Sequence, residues 1–411
     1  MRILLTNIKQ LLQVRPDHIE KLSGAEMKQL PMLEGAYLLI ENDLIADYGL
    51  MSDLENIAAD QTIDVSGQVV LPAWCDSHTH IVYAGSREQE FVDRINGLSY
   101  EQIANRGGGI LNSAKTLANT TEEDLYEQSK VRLEEIIQLG TGAVEIKSGY
   151  GLDTENELKM LRVIKRLQQT YPIEIKPTLL AAHAFPAEYK TRQDDYIDYL
   201  VEEMIPAAAK QQIAEYIDVF CETGYFSVAQ TERILKAGMD NGLIPKLHVN
   251  QFTAIGGVQV GIKYNALSVD HLELMREEDI EALIGTDVMP VALPSCSYFL
   301  SIPYTPARSM LDAGLPIALA TDYNPGSTPS GNMNFVVATA CIKMKLTPEE
   351  AINAATINAA YAMGLSKTHG SITIGKKANL IITKPMSSFY QIPYAFGSNP
   401  IDKVMVAGKL M

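Results

Sequence analysis

Between residues 66 and 322 two hydrophobic patterns take turns along the chain. Short runs rich in Val, Ile, Leu and Ala recur as "QVVLPAWCDSHTH", "TGAVEIKS", "IEIKPTLLAAH", "YIDVFCETG", "PKLHVNQ", "ALSVDHLE", "DVMPVALP" and "PIALATDYNPG". Longer amphipathic stretches lie between them. "TEEDLYEQSKVRLEEIIQLG" has Thr and Glu near its start and Gly140 just past its end, the ordinary start and stop signals of a helix. "TENELKMLRVIKRLQQTYP" is stopped before Pro172. Near-continuous apolar strands alternating with helices predict a parallel sheet buried on both faces. Eight repeats fit a closed (β/α)8 barrel. An open doubly wound sheet is the alternative, but no glycine fingerprint follows the first strand. "NRGGGI" (105–110) lacks both GxGxxG and GK[ST] spacing, so it reads as a flexible loop.

The two ends lack this alternation. Residues 1–65 hold "RILLTNIKQLL" and "AYLLIENDLIADYG", and residues 370–411 hold "GSITIGKKANLIITKP" and "KVMVAGKLM". Neither end is long enough to bury a core alone, which predicts that they meet as one small sheet domain. The expected organisation is a small composite β-sandwich domain from 1–65 and 370–411, flanking an α/β (β/α)8 TIM-like barrel over 66–369.

Catalytic groups of such a barrel stand at the C-terminal ends of its strands. An isolated His-x-His is more often an exposed pair than a site. Here, however, His78 and His80 end the first strand, and alternate strand positions share a face, about 7 Å apart. His183 ends the third strand, His248 lies at the end of the fifth, His271 ends the sixth and Asp322 the eighth. Only His18 and His369 of the seven histidines fall elsewhere. Independent core packing is a poor account of five histidines on one rim. Three imidazoles and one carboxylate suit Zn²⁺ or Fe, and such an ion acidifies bound water and polarises a carbonyl.

Composition narrows the partners. The net charge of −16, with no Lys/Arg-rich run, argues against nucleic acid and anionic membrane surfaces. The four cysteines are scattered without a CxxC, which predicts a reducing cytoplasm. The opening "MRILLTNIKQLLQV" is interrupted by Asn7, Lys9 and Gln10, so it does not read as a signal peptide, and no stretch approaches a membrane span. A homodimer is the default expectation for the assembly.

The HxH pair, the strand-5 and strand-6 histidines, the "ATD" of strand 8 and the split end domain resemble the amidohydrolase superfamily. More narrowly, "HTHIVYAGSREQEF", "EIKSGYGL", "LLAAHAFP" and "ATDYNPGS" resemble the imidazolonepropionase family, over almost the whole chain. The resemblance implies hydrolysis of the ring amide of 4-imidazolone-5-propanoate to N-formimidoyl-L-glutamate in histidine degradation. It implies one Zn²⁺ or Fe³⁺ per chain, held by His78, His80, His248 and Asp322. Substrate contacts are expected at Arg87, Tyr150, His183 and Gln251, and at Asn324, Gly326 and Ser327 of the loop after strand 8. Asp322, His271 and Gln251 are the expected catalytic positions.

The residues themselves support parts of this. Arg87, seven residues beyond His80, can pair bidentately with a carboxylate. Tyr150 offers a hydroxyl at the rim of strand 2, and "NPGS" offers turn N–H groups to an anion. One position departs from the superfamily's deaminases, which carry a glutamate in an HxxE arrangement on strand 5. "HVNQ" places Gln251 there, and an amide cannot shuttle a proton as a carboxylate does. That leaves Asp322 and His271 as proton carriers. Two-metal members use a carboxylated lysine or a glutamate on strand 4; no lysine stands in "YIDVFCETG", although Glu222 keeps a second metal open. Another cyclic-amide hydrolase, a deaminase and a catalytically dead barrel are the competing readings.

Overall fold

The computed structural model describes the chain except for residues 17, 56, 99–101, 104, 105 and 107, so the glycine run at 105–110 lies partly outside the described residues. The N-terminal strands are β1 (Arg2–Leu12), β2 (Met32–Glu41), β3 (Leu44–Leu50), β4 (Gln61–Asp64) and β5 (Val69–Pro72). Eight more follow: β6 (Trp74–Thr79), β7 (Thr141–Lys147), β8 (Glu174–Ala182), β9 (Tyr216–Cys221), β10 (Ile244–Val249), β11 (Ser268–His271), β12 (Met289–Ala292) and β13 (Ala318–Leu319). The chain finishes with β14 (Leu380–Thr383), β15 (Ile401–Val406) and β16 (Lys409–Leu410).

Strands β6 to β13 lie side by side in chain order, all parallel. The last turns back onto the first. Thr79 and Tyr323 form a parallel bridge, the His80 N–H donates to the Tyr323 carbonyl at 2.8 Å, and the Asp322 N–H donates to the His78 carbonyl at 3.0 Å. Asp76 tightens the same seam by accepting from the Thr321 hydroxyl at 2.6 Å and the Thr321 N–H at 3.0 Å. The result is a nearly closed eight-stranded barrel. Its helices start and stop as the sequence signals indicate: Thr121 and Asp153 cap the helices Glu122–Gln138 and Thr154–Thr170, and Gly140 takes φ 99°. Their buried leucines and isoleucines pack onto the outward faces of the strands in one large apolar core.

The end-built unit takes the form of one continuous hydrogen-bonded sheet, ordered β16-β15-β14-β5-β1-β2-β3, with β4 also paired to β1. Strand β1 serves two parallel partners in succession, β4 against Ile3–Thr6 and β5 against Gln10–Leu11. The change of partner coincides with Asn7, which takes a left-handed φ of 57° within a register shift. The sheet encloses its own apolar cluster, including Leu5, Ile8, Leu38, Val70, Leu380 and Met405.

Two local expectations differ from the structure. The run "QVVLPAWCDSHTH" is two strands, because Val69–Pro72 pairs with β1 and β14 while Trp74–Thr79 pairs with β7. Only Ala73 separates them, and its N–H donates to the Asn379 carbonyl at 2.8 Å. Strand 8 is two residues long, and Asp322 lies three residues beyond it with φ 57°, a conformation that no strand continues. No helix among the described residues is long and apolar enough to cross a membrane.

The sheet meets the barrel at Gly142, Ala73 and Asn379. A Cβ on Gly142 would stand 2.5 Å from the Ala73 Cβ and 3.1 Å from the Asn379 Cβ. Gly142 does not need glycine for its backbone angles, so the constraint is space alone. Gly142→Ala should therefore lower the urea midpoint by the equivalent of ~1–3 kcal/mol, the usual cost of overpacking. An unchanged midpoint would show that this junction yields freely.

Candidate active site

The C-terminal ends of the barrel strands bring the rim histidines together. His78 stands next to last in β6, His80 just beyond it, His248 next to last in β10, and His271 closes β11. Ring centroids lie 4.4 Å apart for His78 and His248, 5.3 Å for His78 and His80, and 5.3 Å for His248 and His271. His183, one residue past β8, stacks on His80 at 5.4 Å. Asp322 Oδ1 is 3.6 Å from Nε2 of both His78 and His80. All of these side chains are buried.

Beneath them lies a layer of charge that the sequence reading did not identify. Lys147 Nζ donates to Glu145 at 2.5 Å and to Asp218 at 2.8 Å, and lies 3.7 Å from Asp270. Lys246 Nζ pairs with the other oxygen of Glu145. All five side chains are fully buried. From this layer Asp270 reaches His78 Nδ1 at 2.6 Å and Asp218 reaches His248 Nδ1 at 3.0 Å. A signal for it did exist: "TGAVEIK", "YIDVF", "PKLHV" and "SVDH" each place a charge inside an otherwise apolar strand.

Electrostatics follow from burial. His78 and His80 are held well below the ordinary histidine range, first by burial and then by nearby positive groups. Burial likewise lowers His248 to about 4 and His183 to about 3. These imidazoles are neutral near pH 7, the form that ligates a metal. Burial pushes Asp322 up to about 6 and Asp270 also to about 6, whereas for Asp218 the effect of burial is outweighed by His248 and Lys147, and its pKa falls. His271 differs from the other rim histidines. Burial opposes its charge, but Glu273 at 3.3 Å and the Asp322 and Asp270 carboxylates prevail and raise its pKa.

These residues fit a metal ion. With Nδ1 of His78 and His248 facing carboxylates, the Nε2 atoms remain as donors, the second-layer arrangement typical of metal-bound histidine. His248 Nε2 is buried with no hydrogen-bond partner, which a ligand role explains. His78, His80 and Asp322 have ligand atoms within 4.8 Å of one another, and so do His78, His248 and His271. The two clusters share His78, and the four expected ligands do not form one such cluster by themselves. His271, Cys296 and Asp322 form a third. For a second metal the structure offers less. Lys147 is committed to carboxylates as an ammonium, with its pKa raised despite burial. Glu222 accepts from the N–H groups of Thr223 and Phe252 and from the Thr253 hydroxyl.

The cleft above the rim measures about 490 Å³, counted out to its open mouth, and is lined by His80, Arg87, Tyr150, His183, His248, Gln251, His271, Asp322, Asn324, Gly326 and Ser327 among others. Every expected substrate contact therefore faces one space. Gln251 donates to Cys296 Sγ at 3.4 Å. The turn after β13 differs from expectation. The N–H groups of Gly326 and Ser327, expected to meet an anion, both donate to Asn324 Oδ1 at 2.8 Å. An Asn side chain closing its own turn competes for those donors. Asn324 Nδ2 in turn donates to the Asp322 carbonyl at 2.7 Å, and the Ser327 hydroxyl donates to Asp322 Oδ2 at 3.1 Å. The turn thus fixes Asp322.

A metal-competent histidine and aspartate cluster at the mouth of such a barrel, with a sheet built from both chain ends, defines an amidohydrolase. Residues 258–411 match the model of the amidohydrolase family. An adenosine deaminase from Xanthomonas campestris with bound zinc shares the fold at TM-score 0.71, with 16% identity, covering 99% of this chain and 92% of that one. A guanine deaminase from C. acetobutylicum does so at TM-score 0.72, with 15% identity and 100% of both chains covered. At these identities the likeness is one of fold.

Sequence relatives are far nearer. The imidazolonepropionase of Flavobacterium johnsoniae is 71% identical over 411 residues, covering 100% of both chains. That of Geobacillus kaustophilus is 40% identical, covering 98% of this chain and 96% of its own. The chain belongs to the imidazolonepropionase family.

Removing one member of the buried charge layer should be severe. Lys147→Met would leave Glu145, Asp218 and Asp270 facing Lys246 alone. The expected loss is ~3–5 kcal/mol of folding stability, as for breaking a buried ion pair. A denaturation midpoint within error of wild type would mean that the layer is not a cooperative unit.

Proposed function

We propose that this chain opens the ring amide of 4-imidazolone-5-propanoate to give N-formimidoyl-L-glutamate, using one Zn²⁺ or Fe³⁺ held by His78, His80, His248 and Asp322. The barrel from Trp74 onward forms the catalytic unit, and the sheet built from the two chain ends, which takes in Val69–Pro72, forms the supporting one, in a cytoplasmic homodimer. The observation that carries the reading is the His248 Nε2 atom, buried without a partner while its Nδ1 is held by Asp218, in a cleft shared with Arg87. When bound, the metal supplies Lewis acidity towards the ring carbonyl and makes water a better nucleophile near neutral pH.

The chain's own groups do the rest. Water adds to the ring carbonyl carbon, and Asp322 Oδ accepts its proton. Ser327 and the Asn324 turn hold that carboxylate in place. His271, with its positive charge favoured by Glu273, faces Asp322 and stabilises the oxyanion. The ring C–N bond then breaks, and the proton on Asp322 passes to the leaving nitrogen. Arg87 pairs with the propionate carboxylate. Tyr150 and His183 flank the ring, and Gln251, whose amide donates to Cys296, orients it without transferring protons.

A deaminase is the competing reading for this fold, and Gln251 counts against it. Expelling ammonia from a nucleobase needs a proton donor at that position, and an amide supplies none.

Purified protein should turn over imidazolone propionate and lose that activity to a chelator, with elemental analysis giving one metal per chain. His248→Ala should lose metal and turnover together. Full activity in that variant, or ammonia release from guanine with none of the expected ring opening, would refute the assignment. Arg87→Met should keep its metal yet lose ~2–5 kcal/mol in kcat/KM, the range for truncating one partner of a desolvated charge pair. An unchanged kcat/KM would remove Arg87 from the site.

A further inference from the structure

The helix Glu88–Ile95 is built inside out. Phe91, Val92 and Ile95 are exposed at 44%, 45% and 68%, while Glu90 is its single buried residue. A buried glutamate requires specific partners. Glu90 has them on two sides: its Oε2 accepts from Arg87 Nε at 2.8 Å and Nη2 at 2.6 Å, and its Oε1 accepts from the Gly109 N–H at 3.0 Å. Gly109 caps the helix Ile110–Ala118, whose first residue lines the cleft. Glu90 therefore grips the Nε–Nη2 edge of the guanidinium and anchors it to a second element of the cleft wall.

The opposite side of Arg87 is set by Gly326. A Cβ there would lie 2.2 Å from Arg87 Nη1 and 2.6 Å from Cζ. Gly326 does not have a positive φ, so its backbone does not call for glycine; the guanidinium does. Arg94, about two helical turns beyond Arg87, donates from Nη2 to the Gly326 carbonyl at 2.9 Å and so fixes the glycine itself.

We infer that Glu90 and Gly326 are positioning residues for carboxylate recognition: together they hold Arg87 in the one orientation that accepts the acid group of the substrate. This rests on the assignment of Arg87 to the substrate carboxylate and extends it to Glu90, which acts only through Arg87, and to the packing of Gly326 against the guanidinium, a role separate from its place in the cleft wall. A guanidinium is selective because its donors form a rigid planar fork. Its selectivity depends on the fork being held still.

Glu90→Gln, Gly326→Ala and Arg87→Met are compared for KM, kcat, metal content and inhibition by 3-(imidazol-4-yl)propanoate and by 4-ethylimidazole, which lacks the acid. The first two should raise KM about 10- to 100-fold, Glu90→Gln by weakening a hydrogen bond between charged groups and Gly326→Ala by displacing the guanidinium, with metal retained and kcat little changed. Preference for the acid-bearing inhibitor should shrink in both, as in Arg87→Met. Normal KM and inhibitor preference in Glu90→Gln and Gly326→Ala, beside an impaired Arg87→Met, would overturn the positioning roles and leave Arg87 in place. Tighter binding of the acid in Glu90→Gln would also overturn them, since Glu90 would then be only a competing charge. A normal Arg87→Met would remove the assignment and the inference together. Should Glu90→Gln fail to fold, Gly326→Ala decides from the other side of the guanidinium.

Discussion

Two lysine ammonium groups stripped of all water in the middle of a barrel are the constraint on which the rest depends. Lys147 and Lys246 meet Glu145, Asp218 and Asp270, all with no solvent exposure. Taking each ion out of water costs several kcal/mol, which is tolerable only with close and complete pairing. Two positive and three negative groups leave one negative charge in excess near neutral pH. That excess lies toward the rim, where Asp218 and Asp270 contact His248 and His78. Neutral imidazoles backed by carboxylates favour a cation on their far side. The charge layer is thus both a structural keystone and the electrostatic floor of the candidate site.

This floor explains the shape of the barrel around it. The layers of branched apolar side chains that fill most such barrels are partly replaced here by ions. Apolar packing is displaced outward, to the interface between strands and helices. The closing seam is correspondingly polar. Strand β13 is short, and the junction between first and last strands relies on Asp76, Thr321, Tyr323 and the backbone of His78 and His80. The left-handed backbone at Asp322 ends strand geometry beside the histidines rather than extending the strand past them. A longer β13 would carry Asp322 away from the rim.

Strand order, helix ends and the histidine rim were legible in the sequence because each is written in a local period or at a strand terminus. The partners of those histidines were not. Asp218 and His248 are thirty residues apart, and His78 and Asp270 nearly two hundred; the first pair meets between the neighbouring strands β9 and β10, the second across the barrel interior between β6 and β11. The run at 68–80 misled for a related reason: both sheets ask for the same apolar residues, and a single Ala73 between them leaves no mark in the pattern. The turn at 324–327 was recognised as a turn, but composition could not tell whether its N–H groups face an anion or Asn324. Glu90 was hidden by its position on a helix whose other acidic residues face water. Its burial depends on Arg87 and Gly109, nineteen residues from the latter.

The two ends of the cleft differ in kind, and that difference orients a substrate. At the floor, neutral histidines and Asp322 present a region suited to a polarised ring amide. At the wall, Arg87 is set between Glu90 and Gly326 and suits a carboxylate. Coulombic attraction alone would draw an anion toward any cation in the cleft, including His271 whenever it carries a proton. The excess negative charge beneath the rim opposes that misplacement, because a carboxylate pushed to the floor would approach Asp218, Asp270 and Asp322 together. A metal ion at the rim would attract an anion, but it would do so where three carboxylates already share its charge. For the proposed substrate, this charge distribution favours the acid group at the wall and the ring amide at the floor. Gln251 suits this division: a glutamate there would add another negative charge and a proton carrier, whereas an amide adds neither. On the proposed reaction, substrate polarity and catalytic polarity would both follow from the same uneven distribution of buried charge.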